Sequence, residues 1–125
     1  MADYRIELVL VPVSDVDRSR AFYGDRLGWS VDHDQTVSDE LRFVQVTPPG
    51  SACSIAFGRG ISKMEPGTLL ALQVVTVDIE HAHADLVERG VDVSPIDDLA
   101  WGRFVTFADP DGNTWTVQQL PPRPS

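Results

Sequence analysis

The stretch Val13-Ser14-Asp15-Val16-Asp17 decides the fold, because the second half of the chain contains a counterpart, Val77-Asp78-Ile79-Glu80. Asp15 and Asp78 lie 63 positions apart, about half of the 125 residues. A helix-like stretch follows each aspartate and ends at a glycine, Gly28 in the first half and Gly90 in the second. An internal repeat on this scale predicts two structural modules of the same design.

Further elements recur in the same order after the two helices. The strand-like segment Trp29-Ser30-Val31 corresponds to Val91-Asp92-Val93, and Arg42-Phe43-Val44 corresponds to Arg103-Phe104-Val105. A turn follows in each half, and an apolar strand follows the turn. Each half is therefore predicted to run strand, helix, strand, strand, strand.

Hydrophobic periodicity and turn residues set the expected boundaries. Ser14 or Asp15 is expected to cap the first helix, and Gly28 and Gly90 to end the two helices in left-handed conformations. The predicted strands cover residues 5–13, 29–36, 41–47 and 53–58, then 69–77, 91–94, 103–108 and 114–119. A single domain is expected, with module one at about 5–58, a linker at 59–67, module two at about 68–120 and a solvated tail at 121–125.

The charge balance restricts the partners. The chain has 19 Asp and Glu residues against 10 Lys and Arg, a formal net charge of −9. Such a surface repels phosphate backbones and anionic membrane faces, so we expect no nucleic-acid and no membrane partner. Small neutral or cationic compounds remain open, as does the simpler reading that the acidity serves solubility.

The compartment and redox chemistry follow from a few features. No apolar run reaches the roughly 18 residues that span a bilayer, and the acidic N-terminal segment does not resemble a signal peptide. The single cysteine, Cys53, excludes an internal disulfide and a cysteine-based metal site. A cytoplasmic protein with an inert thiol is expected.

Two longer stretches carry a family resemblance. They are Phe107-Ala108-Asp109-Pro110-Asp111-Gly112-Asn113-Thr114-Trp115 and the segment from Pro12 to Tyr23, with Leu27-Gly28-Trp29 after it. With the half-chain repeat, they resemble the vicinal oxygen chelate superfamily, which includes glyoxalases, bleomycin resistance proteins and extradiol dioxygenases. The resemblance implies an α+β fold of two βαβββ modules, whose mixed sheets curl into an open cup. It also implies a homodimer in which both chains complete the cups.

The same resemblance implies where catalytic members hold a divalent metal. Such members use His and Glu, two from each module, because these side chains supply the nitrogen and oxygen donors that the metal needs. The corresponding positions in this chain are Leu8, Ala71, Thr116, and Ser54 or Ala56. None of them is His or Glu, so no metal and no other cofactor is expected.

The three histidines do not suggest a replacement site. His81 and His83 lie two apart on the second predicted helix and point to different faces. His33 lies on a predicted strand, where alternation places Asp32 and Asp34 on one face and His33 on the other. We expect surface or cup-rim histidines, and no catalytic residue can be named.

Strand alternation also predicts which side chains line the cup. The lining is aromatic, aliphatic, hydroxyl and amide in character, which suits a small organic ligand. The alternative is that these groups pack at a dimer interface. The predicted ligand-binding residues are Leu8, Phe43, Gln45, Ser54, Gln73, Trp101, Phe104, Thr106, Thr116 and Gln118.

Two features of the predicted rim leave alternatives open. Trp101, in the predicted loop 97–102, is either a lid over a planar ligand or a plug in the core. Acidic residues could attract a cationic ligand if they border the cup mouth. The acidic residues concerned are Asp32, Asp34, Asp39, Glu40, Asp97 and Asp98.

Three functions fit these observations. The first is a metal-free protein that sequesters a small compound, cationic or aromatic in character, in a dimeric cup, similar to the bleomycin resistance branch. The second is a glyoxalase-like enzyme of the lyase, isomerase or dioxygenase class, working without metal or with a relocated site. The third is a structural or regulatory dimer with vestigial cups. A stoichiometric bound metal would contradict the first.

Overall fold

The computed structural model describes residues 2–121 and contains the predicted repeat of β, α, β, β, β. The first module comprises β1 (Leu8–Leu10), α1 (Val16–Arg20), a π-helical continuation of α1 (Ala21–Arg26), β2 (Ser30–Ser38), β3 (Leu41–Thr47) and β4 (Ser54–Arg59). The second comprises β5 (Leu72–Val75), α2 (Ile79–Glu88), β6 (Asp97–Leu99), β7 (Gly102–Ala108) and β8 (Thr114–Gln119). The α+β prediction is therefore confirmed. Of the predicted tail, residues 122–125 lie outside the described part of the chain.

Each module forms its own four-stranded mixed sheet. The strand orders are β1-β4-β3-β2 and β5-β8-β7-β6. In both sheets the first strand pairs in parallel with the last strand of its module, and the remaining pairs are antiparallel. The identical order in the two sheets is the structural counterpart of the sequence repeat.

The two helices begin and end in equivalent ways. Of the two candidate caps for α1, Asp15 is the one used: its carboxylate accepts a bond from the Arg18 amide at 3.1 Å. Asp78 does the same for α2, accepting from the His81 amide at 3.1 Å. Gly28 and Gly90 follow the helices with φ of 72° and 77°, a conformation that side chains disfavour. Equivalent aspartates and glycines therefore fix both helices.

The helix ends of the two modules also hold each other. Arg26 Nη1 donates to the Gly90 carbonyl at 3.0 Å, and Arg89 Nη1 donates to the Arg26 carbonyl at 3.3 Å. Arginine side chains satisfy carbonyls that a helix C-terminus leaves unpaired, and their charge suits its negative end. The two modules are thus joined by reciprocal contacts between their helix C-termini.

One hydrophobic core serves both modules. The ring of Tyr23, at the end of the first helix, lies 5.5 Å from the Phe57 ring of β4 and 5.9 Å from the Trp115 ring of β8. All three side chains are at most 2% exposed. The helix-bearing sides of both sheets therefore face a common core, and the opposite sides face outward.

A polar network lies inside this core. Asp109, which is 5% exposed, accepts bonds from the Tyr23 hydroxyl at 2.7 Å and from Asn113 Nδ2 at 2.9 Å. Trp115 Nε1 donates to the Tyr23 hydroxyl at 3.0 Å, and Asn113 Nδ2 also reaches the Pro12 carbonyl at 2.8 Å. Burial and the Asp109 carboxylate raise the pKa of Tyr23 well above its ordinary value. The hydroxyl therefore stays protonated and available as a donor.

Three boundary predictions were wrong. Residues 91–94 do not form a strand, because Pro95 lacks the N–H that would continue a ladder, and the bonds between this segment and β7 are those between Ser94 and Thr106. The strand is instead Asp97–Leu99, within the predicted loop 97–102. The first strands are also shorter than the predicted 5–13 and 69–77, because Pro12 lacks the N–H that would extend β1 and Ala71, with a φ of 66°, interrupts the extended backbone before β5.

An ion-pair group on the helix side of the first sheet predicts a specific acid response. Arg42 holds Asp34 through two bonds of 3.0 and 2.9 Å and reaches Asp17 at 2.7 Å, while Arg20 contacts Asp34 at 3.0 Å. Hydrogen bonds from Arg42 lower the pKa of Asp34 below its ordinary value. The stabilisation from Asp34 is therefore present above about pH 4, the unfolded value, and is lost as the pH falls through the lower folded value.

We expect Asp34→Asn to reduce the free energy of unfolding by about 1 kcal/mol at pH 7. Urea unfolding of both proteins from pH 7 to pH 3 should show this difference staying constant to about pH 5 and shrinking below pH 4. Asp25→Asn, a surface acid outside this group, is the control. A difference that is the same at pH 3 and pH 7 would contradict the prediction.

Candidate functional site

The outward face of the second sheet gathers five of the predicted ligand-binding residues. Thr116 pairs with Thr106 and with Gln73, and Gln118 pairs with Phe104. Their strand neighbours Val105, Trp115 and Val117 are buried in the core on the other side. Since paired residues share a face and neighbours alternate, the five side chains lie together on one surface.

The first sheet presents a similar but smaller surface. Leu8 pairs with Ser54, and Gln45 pairs with Ala56, while Phe43 lies across from Gly58. The Thr47 and Ser54 hydroxyls are 2.6 Å apart on this face. Leu8, Phe43, Gln45 and Ser54 therefore share the outward face of this sheet.

One chain does not bring the two outward faces together. The two sheets are separate, with no strand pairing between them among residues 2–121. Their inner sides share the Tyr23-centred core, so their outer sides point away from it. The ten predicted residues thus form two groups, one at each sheet. Within the described part of one chain, no single cup is lined by both groups.

Trp101 lies in the turn between β6 and β7 and is 63% exposed, so it is not a core plug. Its carbonyl oxygen accepts a bond from Gln118 Nε2 at 2.9 Å. The Oε1 atom of Gln118 in turn accepts a bond from Gln73 Nε2. Trp101 is therefore attached to the group on the second sheet through Gln118, which is only 7% exposed.

The acidic residues do not form one rim. Asp34 faces the helix side with Arg42, and Asp98 bonds to Arg103 at 2.6 Å next to Glu80. Asp97 is the acid that pairs opposite Phe104 on the outward face. Asp39 and Glu40 lie at the β2–β3 turn. The idea of a continuous acidic ring is therefore not supported.

Alternation failed at two points in β2, between Val31 and His33 and between Thr36 and Ser38, and the first affects the predicted rim. A bulge between Val31 and His33 separates Asp32 from Asp34, which were predicted to share a face. His33 pairs opposite Gln45 on the outward side, and Asp32 bonds to the hydroxyls of Thr47 and Ser30. These hydroxyl bonds lower the pKa of Asp32. The two-residue alternation of strand faces, as read from the sequence, does not reveal an inserted residue of this kind.

The positions that correspond to the family's metal ligands do not suit a metal. Leu8 and Ser54 lie opposite each other, and in the second module Thr116 lies opposite Gln73 rather than Ala71. The Ala71 amide instead donates to the Thr114 hydroxyl at 2.8 Å, with Ala71 at a φ of 66°. Within residues 2–121 no three His, Cys, Asp or Glu side chains cluster as a metal site would need. His81 and His83 lie on α2 and, among the described residues, join no such cluster.

Two cavities border the predicted ligand-binding residues on the second sheet. One, of about 410 Å³, is lined by Ser94, Pro95, Ile96, Asp97, Phe104 and Thr106. Another, of about 490 Å³, lies beside edge strand β5 and includes Gln73, Val75, Phe107 and Val117. The Pro48-Pro49-Gly50 turn of the first module and the α2 residues His81 and Asp85 also line it. The local sequence of these segments predicts only a turn and a helix, because their approach to β5 is a tertiary contact.

Comparison with known proteins places this geometry in a family. Residues 5–117 match the sequence profile of the Glyoxalase/Bleomycin resistance protein/Dioxygenase superfamily. The chain belongs to this superfamily. Members of the superfamily with solved structures resemble it over nearly their whole length. The antibiotic-binding protein TnmS3 from Streptomyces sp. CB03234 is 36% identical, with a TM-score of 0.86 over 97% of this chain and 99% of that one.

Two further superfamily members show the same similarity. A glyoxalase/bleomycin resistance protein from Streptomyces sp. CB03234 is 36% identical, with a TM-score of 0.79 over 92% of this chain and 100% of that one. A member from Sphaerobacter thermophilus DSM 20745 is 30% identical, with a TM-score of 0.79 over 93% of this chain and 97% of that one. The predicted family and its glyoxalase-like fold are confirmed. Within residues 2–121, no helix has the length and apolar character of a membrane span.

Proposed function

We propose that this protein binds a small organic compound, without a metal, on the outward faces of its two sheets. The observation that carries the proposal is the group Gln73, Phe104, Thr106, Thr116 and Gln118, an aromatic ring surrounded by hydroxyl and amide groups on one open surface. Such surfaces hold a ligand by apolar contact and orient it through a few hydrogen bonds. The similarity to the antibiotic-binding protein TnmS3 supports an antibiotic as the compound and resistance by sequestration as the role.

We further propose that a second copy of the chain completes each site. The outward faces of one chain point away from each other, so walls from both modules require two chains. Apolar side chains on these faces are exposed in one chain: Val75 is 65% exposed and Leu10 is 37% exposed. Burial of such side chains favours association. Light scattering should give a mass near twice 13.8 kDa, and a monomer at micromolar concentration would contradict the dimeric cup.

The experiment for binding is a titration with a panel that contains bleomycin and neutral and cationic aromatic antibiotics, monitored by tryptophan fluorescence. Trp101 is the exposed tryptophan next to the site, whereas Trp115 is buried in the core. We expect at least one compound to bind with one molecule per chain. If the protein chemically converts the bound compound, its function is enzymatic rather than sequestration. If no compound of the panel binds, the proposal is contradicted.

Phe104→Ala is the variant that tests the proposed surface. Phe104 is half-buried, pairs opposite Gln118 and lines the 410 Å³ cavity. Loss of its ring should weaken binding of the panel compound by about tenfold to a hundredfold, since an aromatic anchor contributes on the order of 1.5–3 kcal/mol. Isothermal titration calorimetry measures the change.

Tyr4→Ala is the matched control, because Tyr4 is an aromatic residue that is 90% exposed and precedes β1. Its affinity should equal that of the wild type. If both variants bind as the wild type does, the ligand does not occupy the outward face of the second sheet.

A further inference from the structure

The last strand ends with two glutamines whose side chains do different things. Gln118 faces outward and donates from Nε2 to the Trp101 carbonyl at 2.9 Å. Gln119 faces the helix side, where its Oε1 accepts a bond from the Ile79 amide at 2.7 Å, at the start of α2. Gln118 thus holds the turn between β6 and β7 on one face of the sheet, and Gln119 holds the N-terminus of α2 on the other.

The hydrogen bonds of Gln118 have a fixed direction. A backbone carbonyl can only accept, so Gln118 must turn its NH2 group towards Trp101. Its Oε1 atom then faces Gln73, which must donate from Nε2. The Oε1 atom of the exposed Gln73 is left as an acceptor on the outward surface. The backbone of the β6–β7 turn therefore fixes the orientation of the Gln73 amide through Gln118.

The turn is built to admit the Gln118 amide. Only Ala100 and Trp101 lie between β6 and β7, and Gly102 follows with a φ of 150°. A Cβ atom at Gly102 would lie 2.8 Å from Gln118 Nε2 and 2.8 Å from the Gln119 carbonyl. The glycine therefore leaves the space that the amide needs to reach the Trp101 carbonyl.

We propose that Gln118 is a positioning residue that holds the Trp101 turn and orients Gln73, so that the face favours aromatic compounds with an O–H or N–H donor. The part about the ligand rests on the proposed binding function. The part about the turn concerns the free protein and can be tested without any ligand.

The turn is tested by fluorine NMR of the full chain labelled with 5-fluorotryptophan. Trp101→Phe identifies the Trp101 signal, while Trp29 and Trp115 are internal references. In Gln118→Met, which keeps the chain length but has no amide, we expect the Trp101 signal to shift and narrow and the other two to stay. In Gln119→Met, the matched control, the Trp101 signal should match the wild type.

The same Trp101 signal in wild type and Gln118→Met would overturn the positioning role, as would an equal change in Gln119→Met. Gln118→Asn provides a second variant if Gln118→Met does not fold. Its amide is one methylene shorter and cannot span both partners, so the Trp101 signal should change in the same direction. An unchanged signal in that variant would also overturn the proposal.

The ligand class is tested with 2-naphthol and 2-methoxynaphthalene, which differ in one donor. The wild type should bind 2-naphthol about tenfold more tightly, the effect of one hydrogen bond, and Gln118→Met should lose this preference. Equal affinities in the wild type would overturn the selectivity even where the antibiotic panel binds. No binding by any compound would overturn the binding function, while the fluorine signals would still decide the positioning role.

Discussion

Replacing Asp109 by alanine should reduce the free energy of unfolding by about 3–5 kcal/mol, one of the two largest effects that we expect in this protein. Four donors would lose their acceptor: the Tyr23 hydroxyl, Asn113 Nδ2, and the backbone amides of Asp111 and Asn113, at 2.7–3.0 Å. Asp109 and Asn113 are at most 5% exposed, so water cannot replace the carboxylate easily. Urea unfolding monitored by circular dichroism measures the loss.

Asp92→Ala is the control for this variant, since Asp92 is an exposed acid in the segment before β6. Its unfolding free energy should lie within about 0.5 kcal/mol of the wild type. The unfolding free energy of Asp109→Asn should fall between those of the two alanine variants. The Asn amide nitrogen would replace one acceptor oxygen and would face other donors. A loss below 1 kcal/mol in Asp109→Ala would show that the network does not stabilise the core.

Trp115→Ala should have a similarly large effect, about 3–5 kcal/mol, because it empties the centre of the shared core. Trp115 is 2% exposed, and its ring lies 5.1 Å from Trp29, 5.9 Å from Tyr23 and 6.2 Å from Phe107. The substitution removes these ring contacts together with the bond to the Tyr23 hydroxyl. Thermal unfolding followed by circular dichroism measures the change in Tm.

Trp101→Ala makes the same chemical change at a site that is 63% exposed, and it should leave the Tm within a few degrees of the wild type. The pair separates the two tryptophans by role: Trp115 stabilises the fold, while Trp101 belongs to the proposed binding surface. Equal losses of stability in the two variants would contradict this division.

Much of the fold could be predicted because its signals are local. Asp15 and Asp78 cap helices through their own neighbouring amides, and Gly28 and Gly90 end them through their own φ angles. The alternation in β7 and β8 correctly placed Phe104 and Thr116 on the outward face. Local rules failed where one residue changed the pattern, at the β2 bulge and at Pro95 before β6.

The candidate site was only partly predictable from the same patterns. Sequence alternation identified which residues share a face, but not that the faces of the two modules point away from each other. It also gave no signal that Gln118 is bonded to both Trp101 and Gln73, or that the Pro48-Pro49-Gly50 turn lines a cavity next to β5. These features depend on contacts between distant parts of the chain.

The sequence by itself determined the family, the two βαβββ modules and the lack of His or Glu at the family's metal positions. It could do so because helix caps, turns and strand periods depend on residues that are only a few positions apart. Only the tertiary structure decided that Tyr23, Asp109 and Trp115 join both modules in one core, and that Asp34 and Asp98 pair with arginines instead of forming an acidic rim. The physical reason is that hydrogen bonds, ion pairs and packing act between atoms that only folding brings together.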